Sequence, residues 1–126
     1  MDLVTLYNEY KKYSQEYMSY ISDLVDSDLG KCENEGILDK LKSYQVKFED
    51  IKIKADVVEV DEANMQNLQD LKYLVMDVLF AALDLATFYS YKEVERFKMR
   101  ATNIINKKRR SEMFNESMHA PCRVDF

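Results

Sequence analysis

The stretch from Tyr73 to Tyr89, YLVMDVLFAALDLATFY, constrains the fold more than any other part of the chain. Leu74, Val75, Met76, Val78, Leu79, Phe80, Leu83, Leu85 and Phe88 occupy every angle of a helical wheel except a line through Asp77 and Asp84. A surface helix would carry one apolar stripe. The run is therefore expected to form a central helix that other elements cover. A bilayer is the rival shelter. Nine large apolar side chains favour insertion by about 4 kcal/mol, whereas two central aspartates oppose it by roughly 5 to 7 kcal/mol. The run is also shorter than the eighteen or so uncharged residues of a spanning helix. No transmembrane segment is expected.

The other segments read as helices around this one. The chain has 126 residues with 2 Gly and 1 Pro, and these leave residues 37–120 without a strong helix breaker. Leu3, Leu6, Tyr10, Tyr13, Tyr17, Tyr20 and Leu24 fall on successive a and d positions of a heptad, with Asp2 as cap and Met1 and Leu6 as a hydrophobic staple. Such a tyrosine seam suits a partly wet groove or interface better than a dry core; ordinary bundle packing with its hydroxyls at the rim is the simpler use, a recognition surface the other. Leu41, Tyr44, Phe48, Ile51, Ala55 and Val58 repeat the pattern, as do Met65, Leu68, Leu71, Val75, Val78, Ala82 and Leu85. The fragment DSDLGKCENEG between Asp26 and Gly36 reads as a loop, with Gly30 ending the first helix. A short turn is expected around Glu59 to Asp61, with Asp61 capping the next helix and Val60 and Met65 as its staple.

Ser90 decides the architecture. Ser90 and Glu93 have capping-box spacing, which favours a new helix there. A continuous helix over 62–109 would be about 70 Å long. It could bury Phe97, Ile104 and Ile105 only against another protein. The expectation is an all-α, antiparallel bundle of long heptad-patterned helices over about 3–28, 37–58, 62–88 and 91–110. Three helices, the last over 62–109, are the alternative. A helical domain over 1–112 and a C-terminal tail over 113–126 complete the organisation.

Net charge is −5, unevenly spread: residues 1–90 carry −9 and residues 91–126 carry +4. The cations concentrate in Arg96, Arg100, Lys107, Lys108, Arg109 and Arg110. Neutralisation of acidic neighbours within the bundle or its dimer is the simpler use of such a segment. Phosphate contact by a basic helix is the other, although overall acidity and the lack of a reading motif weigh against nucleic acid. Asp70, Asp77 and Asp84 recur every seven residues and read as a solvent-exposed line, or else as buried carboxylates met by cations of the fourth helix or of a partner; a carboxylate-bridged metal bundle, the third reading, lacks the inward Glu-x-x-His pairs of such sites.

Catalytic chemistry finds little support. His119 is the only histidine, Gly30 and Gly36 cannot build a phosphate loop, and Glu116, His119 and Cys122 fall short of a four-ligand zinc set. No enzyme, metal, cofactor or small-molecule substrate is inferred. The N-terminus has no secretory pattern, so an intracellular location with Cys32 and Cys122 reduced is expected. The architecture resembles that of export chaperones of the flagellar and type III kind, a likeness of fold without a shared motif. The expected function is protein binding, as adaptor, chaperone or oligomerising protein. Tyr91, Val94, Phe97, Ala101, Ile104 and Ile105 would contact a partner helix or a second subunit, and the six cations would give orientation. A small nucleic-acid-associated regulator is the alternative.

Overall fold

The computed structural model describes the backbone of residues 2–27 and 35–119, and the side chains of residues 2–27 and 36–110 within them. Met1, the loop centre with Gly30 and Cys32, the side chain of His119, and residues 120–126 with Cys122 lie outside the described residues. Four helices make up the fold: α1 (Leu3–Asp26), α2 (Glu35–Val57), α3 (Met65–Ser90) and α4 (Val94–His119). A short 3-10 turn, Glu62–Asn64, leads into α3.

The helices pack as a closed four-helix bundle in which α1 and α3 each lie between α2 and α4. Side-chain pairs fix the directions. Lys54 near the end of α2 meets Glu9 near the start of α1 at 3.1 Å, so these two helices are antiparallel. On α3 and α4, Asp84 meets Arg100 while Asp77 meets Lys107, which is again an antiparallel register.

Heptad counting locates most of the core. Leu3, Leu6, Tyr10, Tyr17 and Leu24 on α1, Leu41, Tyr44, Phe48, Ile51 and Ala55 on α2, and Leu68, Leu71, Val75, Val78, Ala82 and Leu85 on α3 are all buried. Between α1 and α2 the aromatic positions meet: Tyr17 lies 5.1 Å from Tyr44 and 5.4 Å edge-on from Phe48, centroid to centroid. Lysines close the rim of this layer, with Lys40 Nζ 4.4 Å from the Tyr20 ring and Lys47 Nζ 4.9 Å from the Tyr13 ring. Tyr17 departs from the rim pattern. Its hydroxyl is fully buried and finds no hydrogen-bond partner among the described residues.

The caps follow simple chemistry in one place and depart from expectation in two. At α1, the Thr5 N–H donates to Asp2 Oδ1 at 2.8 Å, and this bond holds the Asp2 carboxyl below its usual pKa. Asp61 does not cap a backbone N–H with its side chain; it accepts instead from Asn64 Nδ2 at 2.7 Å. Its expected staple is also open, because Met65 is exposed and Val60 only half-buried.

The helix does break after Ser90, by a different device from the expected capping box. Ser90 is the last residue of α3, and Lys92 takes the left-handed conformation with φ 60°. The Glu93 N–H donates to the Phe88 carbonyl at 2.8 Å and the Lys92 N–H to the Tyr89 carbonyl at 3.1 Å, the paired bonds of a Schellman C-cap. Glu93 then stands immediately before α4, its carbonyl accepting from the Phe97 N–H at 2.9 Å. The alternative of one helix over 62–109 is excluded. At its far end α4 continues to His119, past residue 112 where the C-terminal tail is expected to begin, so residues 113–119 belong to the helix.

Burial of the central run is one-sided. Val75, Val78, Leu79, Ala81, Ala82, Leu85 and Ala86 face the bundle, but Tyr73, Phe80 and Leu83 are exposed and Met76 is only half-buried. The expectation that other helices would engulf α3 holds for its inner half alone. Three neighbours around a corner helix of a bundle leave its outer face open, and nothing among the described residues covers it.

Candidate interaction surface

The residues expected to contact a partner separate into three groups. Phe97, Ala101 and Ile104 lie inside the chain's own core, with Ile105 packed against it. The break at Lys92 folds α4 back along α3, so this apolar face closes the bundle and is not presented outward. Tyr91, in the connector, and Val94, at the start of α4, are exposed.

The cations form the third group, and two of them face inward to α3. Arg100 Nε donates to Asp84 Oδ2 at 2.9 Å. Lys107 Nζ lies 2.8 Å from Asp77 Oδ2 and 5.6 Å from the centroid of the Tyr73 ring. Asp77 and Asp84 meet cations of helix four while staying partly exposed, so the line is neither wholly free in solvent nor a set of buried carboxylates. Asp70 stays exposed and accepts from Gln66 Nε2 at 2.9 Å. Arg96 sits 3.5 Å from Glu93 on the surface, Lys108 is half-buried, and Arg109 and Arg110 are exposed. The outer side of α4 carries a shallow depression lined by Lys98, Met99, Thr102, Asn103 and Asn106. Among the described residues no cluster of three metal-ligating side chains occurs, and no helix is long and apolar enough to cross a membrane.

The most distinctive surface is one that heptad counting on the core side passes over. Gln69, Tyr73, Met76, Phe80, Leu83 and Thr87 follow one another at intervals of four, three, four, three and four residues, which is a second heptad seam on α3. It runs along the outer face, opposite the core seam of Leu68, Leu71, Val75, Val78, Ala82 and Leu85. Its centre is apolar and accessible: Tyr73 is 64% exposed and Phe80 51%. Its flanks are polar on the α4 side, where Asp70, Asp77 and Asp84 stand beside Lys107 and Arg100. The signal lies in the sequence within the same run that is apolar nearly all round a helical wheel. Two seams on one helix fill a wheel as completely as burial on every side does.

Surface apolar residues scattered singly need no explanation, whereas large apolar patches rimmed by polar groups are the kind of surface that proteins use for interaction. A strip with heptad spacing offers knobs and holes to another helix. Comparisons with protein-family models, with curated proteins and with solved structures find no match to this chain.

Proposed function

We propose that this protein is a non-enzymatic interaction module of the adaptor, chaperone or oligomerising kind, binding a helix along the outer seam of α3. The observation that carries the reading is the heptad-spaced set of exposed Tyr73, Phe80 and Leu83 with half-buried Met76, on a helix whose opposite face is already satisfied by the core. An incoming amphipathic helix would bury these side chains, and the Asp77–Lys107 and Asp84–Arg100 pairs at the edge would set its orientation more than its affinity. The partner-binding residues are thus Tyr73, Met76, Phe80 and Leu83 in place of the buried Phe97, Ala101 and Ile104.

The nucleic-acid reading has less support. Arg100 and Lys107 are engaged by α3 carboxylates, which removes two cations from any continuous basic stripe on α4. Selection from a displayed library of heptad-patterned helices on the immobilised chain tests the proposal. Helices that lose binding on Phe80→Asp, and keep it on Arg109→Ala with Arg110→Ala, support the α3 seam. Enrichment of no helix, together with salt-dependent retention on DNA or RNA that the Arg109 and Arg110 substitutions remove, would replace it with the nucleic-acid reading.

A further inference from the structure

We infer that the first half of the outer seam of α3 is covered by residues 120–126 of the same chain, APCRVDF, as a strap that an incoming helix displaces; this rests on the seam being the helix-binding surface. Reach decides where such a strap can lie. Lys107 stands opposite Asp77, and α3 and α4 are antiparallel, so twelve residues further on (107 to 119 on α4, 77 to 65 on α3) the backbone of His119 comes level with Met65. Pro121 lacks an N–H and disfavours the helical conformation at Ala120, so the chain leaves the line of α4 there. Neighbouring helix axes stand about 8–10 Å apart, a gap that three extended residues at about 3.3 Å each can cross. Cys122 then arrives beside Met65, which is exposed and, four residues before Gln69, extends the seam to the start of α3. From there an extended chain advances about 6.6 Å every two residues, against about 6 Å for every four residues of helix. Val124 therefore comes level with Gln69 and Phe126 with Tyr73, while Phe80 and Leu83 lie beyond the strap. Alternation along an extended chain puts Cys122, Val124 and Phe126 on one face, which is the apolar one.

Charge points to the same occupant. On the α4 side of the seam, Asp84 is met by Arg100 and Asp77 by Lys107, whereas exposed Asp70 accepts from Gln66 and pairs with no cation among the described residues. The flank thus has one carboxylate in excess, at the end of the seam that the strap reaches. Arg123 is the one cation of residues 120–126, and its place between Cys122 and Val124 brings it within a side chain's length of Asp70. The cover is weak by construction. Val124 and Phe126 are its two large apolar side chains, and the ordering of seven residues opposes their burial. A helix that also buries Phe80 and Leu83 therefore outcompetes it, and the strap lowers the apparent affinity of the seam without closing it.

Cross-linking in the full chain tests the strap. With Cys32→Ser and Met65→Cys, the native Cys122 is the one other thiol, and mild oxidation should join the two within one chain at a rate independent of protein concentration. Phe126→Asp should slow this several-fold by undocking the strap. Arg123→Asp should slow it as well, and adding Asp70→Arg to Arg123→Asp should restore the parent rate. In the otherwise native chain, Phe126→Asp should tighten binding of a helix selected from the displayed library several-fold, with the melting temperature unchanged. A cross-linking rate that neither Phe126→Asp nor Arg123→Asp alters overturns the inference. So does a rate that falls on dilution, which would put a second copy on the seam, or a helix affinity that Phe126→Asp leaves the same. If selected helices then still bind the parent chain and lose binding on Phe80→Asp, the proposed function stands and only the strap is wrong. If the cross-link behaves as expected but no helix binds, the proposed function fails and residues 120–126 are simply part of the fold.

Discussion

Arg100 Nε donates to Asp84 Oδ2 at 2.9 Å, and seven residues along each helix in opposite directions Lys107 meets Asp77 at 2.8 Å. The acidic line of α3 and the basic segment of α4 are two sides of one antiparallel register. The charge asymmetry of the chain is thereby met partly within the bundle, and the same pairs edge the exposed seam.

Because both pairs are partly exposed, their contribution to stability is small. Asp84→Asn and Asp77→Asn should each cost about 0.2–1 kcal/mol, add in the double variant, and lose most of their effect at high salt. Urea denaturation at low and high ionic strength measures this. A cost of several kcal/mol would show instead that the pairs hold α4 in place.

Tyr17 makes the opposite prediction about polarity. Its hydroxyl is buried without a partner, so Tyr17→Phe should stabilise the fold by about 1 kcal/mol. Burial, opposed in part by nearby Arg100 and reinforced by Asp84, raises its pKa well above the ordinary tyrosine value of 10.0. The unfolded chain therefore loses this proton first as pH rises. The stabilisation from keeping Tyr17 neutral is complete below pH 10.0 and falls above it by about 1.4 kcal/mol per pH unit until the folded state also ionises. Tyr20 and Tyr44, also raised by burial, act in the same direction. Equilibrium unfolding between neutral and strongly alkaline pH should show a shallower decline for Tyr17→Phe than for the parent chain.

Lys92 pays a conformational cost at the α3–α4 corner. A side chain with a Cβ at φ 60° is disfavoured by roughly 1–2 kcal/mol. Glycine adopts this state freely, so Lys92→Gly should raise stability by about 0.5–1 kcal/mol while preserving the corner. Thermal unfolding tests it. Destabilisation would mean that contacts of the lysine side chain outweigh its backbone strain.

Phe97 and Tyr91 were expected on one partner-binding face and now make contrasting predictions. Phe97 is fully buried, and its ring lies 6.2 Å edge-on from that of Tyr89. Phe97→Ala should cost about 3–5 kcal/mol, and Phe97→Asp should unfold the chain. Tyr91→Ala, at a connector position open to solvent, should change stability by roughly 0.5 kcal/mol or less. Melting temperatures of the three variants separate core from surface.

These residues also show what the sequence could convey. Leu41, Tyr44, Phe48, Ile51 and Ala55 were legible because a heptad reports directly which side of a helix is dry. The corner at Lys92 was not, since a left-handed residue is signalled by glycine and this position carries a lysine. Once the chain turns there, Phe97 and Ile104 change from candidate partner contacts into core, a consequence of packing between distant segments. The pairing of Asp77 with Lys107 depends on the same register. The outer seam was hidden by its own completeness: Phe80 and Leu83 on one face and Val78 and Leu85 on the other look alike on a wheel until the neighbouring helices are placed.

The most direct test compares binding of one library-selected helix, by titration calorimetry, to the parent chain and to Phe80→Asp. If α3 works through its outer face, the substitution should weaken binding by at least about tenfold, or 1.4 kcal/mol, while the melting temperature stays close to that of the parent. Undiminished affinity in a folded Phe80→Asp chain would place the binding surface elsewhere and contradict the proposed function.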